Sequence, residues 1–127
     1  MIKVPDIIVQ GLCESDYEEE IIAAIEEAIT KAAVEIPELE LTPNDISFFF
    51  PRDPSITSDE IPIIIKVQLL FDKPKRTPAI RQLFAEKIEE NFSKTIKRWR
   101  KLTKIEVALD PPFKPQEYGF CSKMYDK

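Results

Sequence analysis

A cluster of basic residues lies directly before a predicted helix in the middle of the chain. Lys73, Lys75 and Arg76 follow a long apolar run. The helix that comes next has Thr77 as its N-cap and Pro78 at its first position. A helix N-terminus favours anions, because unpaired amide groups and the helix dipole place positive charge there. These residues therefore predict a site for a small anion; the alternative is a solvated basic turn that binds nothing.

Composition excludes several kinds of chemistry. The 127 residues include no histidine, which removes Ser/His and Cys/His nucleophilic pairs, imidazole acid–base catalysis and histidine-containing zinc sites. Only two glycines are present, so neither a phosphate-binding loop nor a dinucleotide-binding fingerprint can be written. We therefore expect no cofactor and no metal ion.

A second group of basic residues lies near the end of the second predicted helix. Its members are Lys94, Lys97, Arg98, Arg100, Lys101 and Lys104, with Trp99 among them. Such a group would track phosphates, but basic residues at a helix C-terminus also complement the helix dipole. Because the net charge is −5, we expect no nucleic-acid partner.

The ends and apolar runs of the chain bear on its location. The N-terminal sequence MIKVPD lacks the basic region and apolar core of a signal peptide, and the longest apolar runs have the length of strands. We therefore expect a cytoplasmic protein with no membrane partner. Cys13 and Cys121 are then expected as reduced thiols rather than as a disulfide. The length fits one domain, residues 1–127.

Hydrophobic periodicity divides the chain into four strands and two helices. The strands are predicted at 2–12, 46–50, 61–71 and 104–109, and the helices from Ser15 to Pro37 and from Pro78 to about Arg100. Ser15 and Glu18 have the spacing of a capping box. The run at 61–71 is nearly all apolar, which predicts a strand in mid-sheet that is covered on both faces.

The two halves of the chain resemble each other. Residues 4–12, VPDIIVQGL, match residues 61–69, IPIIIKVQL, and each stretch leads to a capped helix and a short strand. We predict two β-α-β repeats, at about 2–50 and 61–109, followed by a tail at 110–127. Both helices would cover one face of a four-stranded sheet, so the other face would be covered by oligomerisation. A monomeric ferredoxin-like module is the alternative, with a different sheet order and a polar open face.

This layout resembles the tautomerase superfamily, which includes macrophage migration inhibitory factor, 5-carboxymethyl-2-hydroxymuconate isomerase and 4-oxalocrotonate tautomerase. The resemblance includes a proline at the start of the first strand, Pro5, and the segment Arg76-Thr77 followed by Arg81-Gln82. It extends over most of the chain. The chain resembles a small uncharacterised bacterial branch of that superfamily more closely still. The segments that carry this resemblance are PDIIVQGL, IPIIIKVQLLF with its following helix, and a final strand with an aromatic tail.

The resemblance implies a duplicated β-α-β fold that assembles as a trimer. It also implies an N-terminal proline that shuttles protons on a keto or enol acid, and arginines that bind the carboxylate of that acid. Pro5 takes the place of the proline and Arg76 the place of one arginine, with Lys73 and Lys75 beside it. Four residues precede Pro5, so its nitrogen is an amide and cannot act as a base. Glu14 stands where the small tautomerases have another arginine.

Two functions follow from this resemblance and its departures. The first is keto–enol isomerisation of a small acid, in which Asp6, Glu14 or a lysine would serve as the base. The second is a non-catalytic, oligomeric binding or scaffold protein of the same fold. Either function would use a small carboxylate ligand or self-association, and the sequence alone leaves both open.

Overall fold

The computed structural model describes residues 4–56, 62–101, 104–112, 114, 121 and 123. This part of the chain contains four strands, two α-helices and three short 3-10 turns. The strands are β1 (Asp6–Gln10), β2 (Ser47–Phe49), β3 (Ile63–Gln68) and β4 (Ile105–Leu109), and the helices are α1 (Glu19–Val34) and α2 (Pro78–Ile96). Three predicted segments lie outside the described residues. They are residues 2–3 of the first strand, residue 61 of the central strand and most of the tail.

The four strands form one sheet in the order β2-β1-β3-β4. β1 pairs in parallel with β2, and β3 pairs in parallel with β4. The two halves meet where β1 and β3 pair antiparallel. This confirms the predicted duplicated β-α-β architecture. In the ferredoxin-like alternative each β-α-β unit is split by another strand, whereas here the two strands of each unit are neighbours.

Both helices pack on the same face of the sheet and against each other. In the two central strands, the residues that point toward the helices are completely buried: Ile7, Val9, Ile63, Ile65 and Val67. The largest helix residues in the core share this burial: Ile25, Ile29, Phe84, Ile88, Phe92 and Ile96. Their i, i+4 spacing is part of the periodicity that predicted both helices.

β3 lies inside the sheet, as predicted. It alternates between fully buried and partly exposed residues, and the partly exposed ones are Ile64, Lys66 and Gln68. The predicted cover of this second face by another copy of the chain stays a prediction, and the face includes a charge and an amide. β3 also ends earlier than predicted, since Leu69 adopts a positive φ of 59° that breaks the strand geometry.

The first helix starts later than predicted. Ser15 lies in a 3-10 turn, Glu14–Asp16, and α1 begins only at Glu19. The capping box belongs to Cys13 and Asp16 instead: Asp16 Oδ2 accepts hydrogen bonds from the Cys13 amide at 2.9 Å and from its thiol at 3.2 Å. Arg100 Nη1 donates to the same oxygen at 2.8 Å. This buried ion pair ties the chain after α2 to the connection between β1 and α1.

Candidate functional site

Four parts of the chain meet at one end of the sheet. Asp6 opens β1 and pairs with Gln68, the last residue of antiparallel β3. The chain leaves β4 at the same end, where the Asp110 amide donates to the Val67 carbonyl at 3.0 Å. The turn after β3 and the start of α2 follow there. The sheet therefore brings Pro5 and the basic turn to the same edge of the molecule.

The basic turn has the predicted local structure. The Arg76 amide donates to the Lys73 carbonyl at 2.9 Å, which closes the turn. Thr77 Oγ1 accepts from the Ile80 amide at 3.3 Å and so caps α2, whose first residue is a proline. Lys73 and Lys75 are exposed.

Arg76 is buried and its guanidinium contacts backbone carbonyls. Nε and Nη2 donate to the Leu39 carbonyl at 2.9 and 2.6 Å, and Nη1 donates to the Phe71 carbonyl at 2.9 Å. Burial lowers the pKa of this guanidinium, the Glu40 carboxylate opposes that shift, and nearby Arg81 adds to it. Arg76 thus joins the turn after β3 to the connection that precedes β2. Its predicted contact with a ligand stays a prediction.

Arg81 is the residue of this region that the sequence analysis did not assign to the site. It is 8 % exposed, and Nη2 donates to the Asp110 carbonyl. Its other terminal nitrogen, Nη1, is buried and has no hydrogen-bond partner among the described residues. Burial lowers the pKa of the guanidinium, and the carboxylates of Asp72 and Asp110 oppose that shift. The available signal was its place one helical turn after Thr77, on the face that starts at the N-cap.

Arg81 lines two adjoining grooves that also share Pro78 and Pro112. The first has a volume of about 390 Å³ and lies at the start of α2. Its other lining residues are mainly charged or polar: Asp72, Lys73, Pro74, Arg76 and Thr77. The second runs between α2 and β4, and its other lining residues are mainly apolar: Gln82, Ala85, Val107 and Leu109.

Pro5 is buried at the start of β1, and its carbonyl accepts from the Ser47 amide at 3.1 Å. Its nitrogen is part of the peptide bond with Val4 and therefore carries no basic lone pair. Asp6 is partly exposed and points to the open face of the sheet, since its neighbour Ile7 points to the helices. Burial raises the pKa of the Asp6 carboxyl.

The sheet separates the candidate base from the candidate anion site within one chain. Asp6 lies on the open face, whereas Arg81 projects from a helix on the opposite face. Glu14, the other predicted carboxylate, is exposed in the turn that follows β1 and lies 3.7 Å from Arg52. The structure therefore brings the basic residues together and leaves both carboxylates apart from them.

The second basic group is divided among several contacts. Arg100 is buried against Asp16, Lys94 lies 2.9 Å from Glu90, and Lys104 lies 2.8 Å from Glu106. Trp99 packs against the core, as its place in the apolar stripe predicted.

Among the described residues, no group of three or more acidic or cysteine side chains has the geometry to hold a metal ion. The described part of the chain also has no helix that is long and apolar enough to cross a membrane.

No protein-family model and no curated protein matches the chain. Solved structures do. FG41 malonate semialdehyde decarboxylase, inhibited by 3-bromopropiolate, is 23 % identical with a TM-score of 0.61, and the alignment covers 93 % of this chain and 92 % of that one. A fused 4-OT wild-type symmetric trimer is 13 % identical with a TM-score of 0.61, covering 85 % and 86 %. A domain of unknown function (DUF1904) from Sebaldella termitidis ATCC 33386 is 17 % identical with a TM-score of 0.55, covering 91 % and 94 %. At these identities the likeness is one of fold.

Proposed function

We propose that this chain, which has the fold of the tautomerase superfamily, binds a small keto or enol carboxylic acid beside the N-terminus of α2. The observation that carries the proposal is the buried Nη1 of Arg81, which has no hydrogen-bond partner in the part of the chain that the structure describes. An arginine commonly binds a carboxylate through two parallel hydrogen bonds, so an unpaired guanidinium nitrogen suits this ligand class.

The charges and the unpaired donor around the groove at the start of α2 favour binding of an anion. A buried donor without a partner costs about 1–3 kcal/mol, and a bound carboxylate would remove that cost. Arg81 is close enough to Arg76 to act toward a lower pKa of that guanidinium, and a bound anion beside the two arginines would offset this repulsion. The dipole of α2 adds positive potential at the same end. Lys73 and Lys75 are exposed nearby and would attract the ligand.

Two carboxylates, Asp72 and Asp110, lie within electrostatic range of Arg81 and weaken this attraction. Neither carboxylate forms a hydrogen bond with Nη1, and Asp72 Oδ2 lies 3.5 Å from Lys114 Nζ. Because Nη1 is covered, binding would include a shift of the guanidinium toward the groove. Side-chain changes of that size are common when ligands bind.

Proline-based tautomerase activity is not part of the proposal. The Pro5 nitrogen is a buried amide, which favours a binding or scaffold protein over a proline-dependent enzyme. Isomerisation of a keto acid would need another base, and the carboxyl of Asp6 is the one that lies beside Pro5. We propose self-association through the open sheet face, by analogy with the trimer named for the fused 4-OT.

Arginine substitutions test the proposed binding site. Titration calorimetry with phenylpyruvate should give at least tenfold weaker binding for Arg81→Met, because the carboxylate loses its paired donor. Arg81→Lys should restore part of the affinity by keeping the charge. Arg98→Met removes an exposed arginine beyond the end of α2 and should leave binding unchanged. Equal affinity in the wild-type chain and a folded Arg81→Met variant would rule the site out.

A further inference from the structure

We infer that the apolar groove between α2 and β4, which begins at Arg81, binds monocarboxylic acids with an apolar body about the size of one phenyl ring. We infer that the same groove rejects dicarboxylates. This inference rests on the proposed function, because it assumes that the carboxylate pairs with Arg81. It adds the class of acid, which is set by the residues that lie beyond Arg81 along α2.

A partly exposed apolar floor lies between α2 and the edge strand β4. Val107 pairs with Ile65, and Leu109 pairs with Val67, so each pair points to the same face. The β3 residues are completely buried, whereas the β4 residues are partly exposed. α2 packs beside β4 but leaves these two β4 side chains partly exposed. Apolar surface of this kind gains free energy when a ligand removes it from water.

The wall of the groove is a single face of α2. Pro78, Arg81, Gln82 and Ala85 lie along it at helical spacing, and Ala85 leaves room where a larger side chain would fill the groove. From Arg81 to Ala85 the helix rises about 6 Å, at roughly 1.5 Å per residue. That length accommodates one phenyl ring or a branched chain of four or five carbons beyond the carboxylate.

The groove becomes acidic after Ala85. The next depression along α2 is lined by Gln82, Ala85, Glu86, Glu89 and Val107. A second carboxylate on the far end of a ligand would meet Glu86 and Glu89, and like charges at this range repel. The order of side chains along the helix is therefore cation, apolar, anion, which matches an acid that is charged at one end only.

A series of acids tests this order. In titration calorimetry, phenylpyruvate and 4-methyl-2-oxopentanoate should bind at least tenfold more tightly than pyruvate, which lacks an apolar body. They should also bind at least tenfold more tightly than 2-oxoadipate, which has a second carboxylate.

Substitutions in the groove test the same order. Ala85→Leu should weaken phenylpyruvate binding at least tenfold and leave the affinity for pyruvate unchanged. The double variant Glu86→Gln with Glu89→Gln should improve 2-oxoadipate binding at least threefold and leave phenylpyruvate unchanged. These two residues lie on the exposed side of α2, so the double variant keeps the test valid if Ala85→Leu does not fold.

The outcomes separate the two claims. If all four acids bind with equal affinity and Arg81→Met abolishes binding, the anion site stands and the inferred class of acid is wrong. If the dicarboxylate binds best, and the Glu86/Glu89 double variant does not change that, the inference is likewise overturned. If no acid binds the wild-type chain, the proposed function itself fails, and the inference fails with it.

Discussion

The nitrogen of Pro5 decides which chemistry the start of β1 can perform. A free α-amine has a pKa of about 8 and becomes a good base after a modest downward shift, whereas an amide nitrogen is not basic at any accessible pH. Pro5 follows Val4 in the chain and is buried. A proline at the same place in the fold thus has different chemistry according to whether residues precede it.

We therefore expect the full-length chain to have no proline-based tautomerase activity. The measurement is a phenylpyruvate enol–keto assay, with intact-mass confirmation that Met1 is in place. A chain that begins at Pro5 is the comparison, and the same chain with Pro5→Ala is its control. Turnover by the full-length chain would contradict the prediction and indicate another base, such as Asp6. Turnover by the trimmed chain alone, lost in its Pro5→Ala control, would indicate that the preceding residues suppress the activity.

Arg76 and Arg81 have the same side chain and lie five residues apart, but they do different things. The Arg76 guanidinium donates to the Leu39 and Phe71 carbonyls through all three nitrogens. Arg81 uses one terminal nitrogen for the Asp110 carbonyl, and the other has no hydrogen-bond partner among the residues that the structure describes. The difference arises from the carbonyls that the fold places around each residue.

At the scale of single elements, the end of β1 depends on Gly11. Its φ is 96°, in the region that side chains disfavour, and a Cβ at this position would overlap the Pro62 carbonyl oxygen before β3. The close approach lets β1 and β3 pair along their whole length up to Gln10 and Ile64. Gly11 is thus a requirement of the antiparallel contact that joins the two repeats.

Gly11→Ala is expected to lower the free energy of unfolding by at least about 2 kcal/mol, because strained φ and backbone overlap act together. Urea denaturation measures the loss. Ala23→Gly, on the exposed side of α1, provides the comparison and should cost about 1 kcal/mol through helix propensity alone. An alanine at position 11 that costs no more than the Ala23 variant would show that the turn accommodates a side chain.

For the whole molecule, the open face of the sheet is the surface that a second copy would cover. Phe49 is 60 % exposed on the edge strand β2, and it pairs with Ile8, which is partly exposed on the same face. Ile64 adds a third apolar side chain, while Lys66 and Gln68 make the rest of β3 polar. Such a mixed face is typical of interfaces between subunits, which combine apolar contacts with hydrogen bonds.

Light scattering at micromolar concentration should therefore find a trimer. Ile8→Asp should shift the mass toward the monomer, because it places a charge among the apolar residues of the open face. Val34→Asp changes an exposed residue at the end of α1, and the trimer should survive it. If the wild-type chain is a monomer, the prediction is wrong and the open face of the sheet is a solvated surface.

Local patterns in the chain were sufficient for the order of elements, for the Thr77 cap, for the apolar faces of both helices and for the resemblance between the two halves. Each of these depends on residues within a few positions of one another. They were not sufficient for the start of α1, where Asp16 caps the turn and also pairs with Arg100, 84 residues away along the chain. Nor could local patterns show that Arg76 and Arg81 have different hydrogen-bond partners, or that Asp6 lies apart from the basic turn. Those assignments depend on which carbonyls and which face of the sheet surround a side chain, and contacts between distant parts of the chain exist only once it has folded.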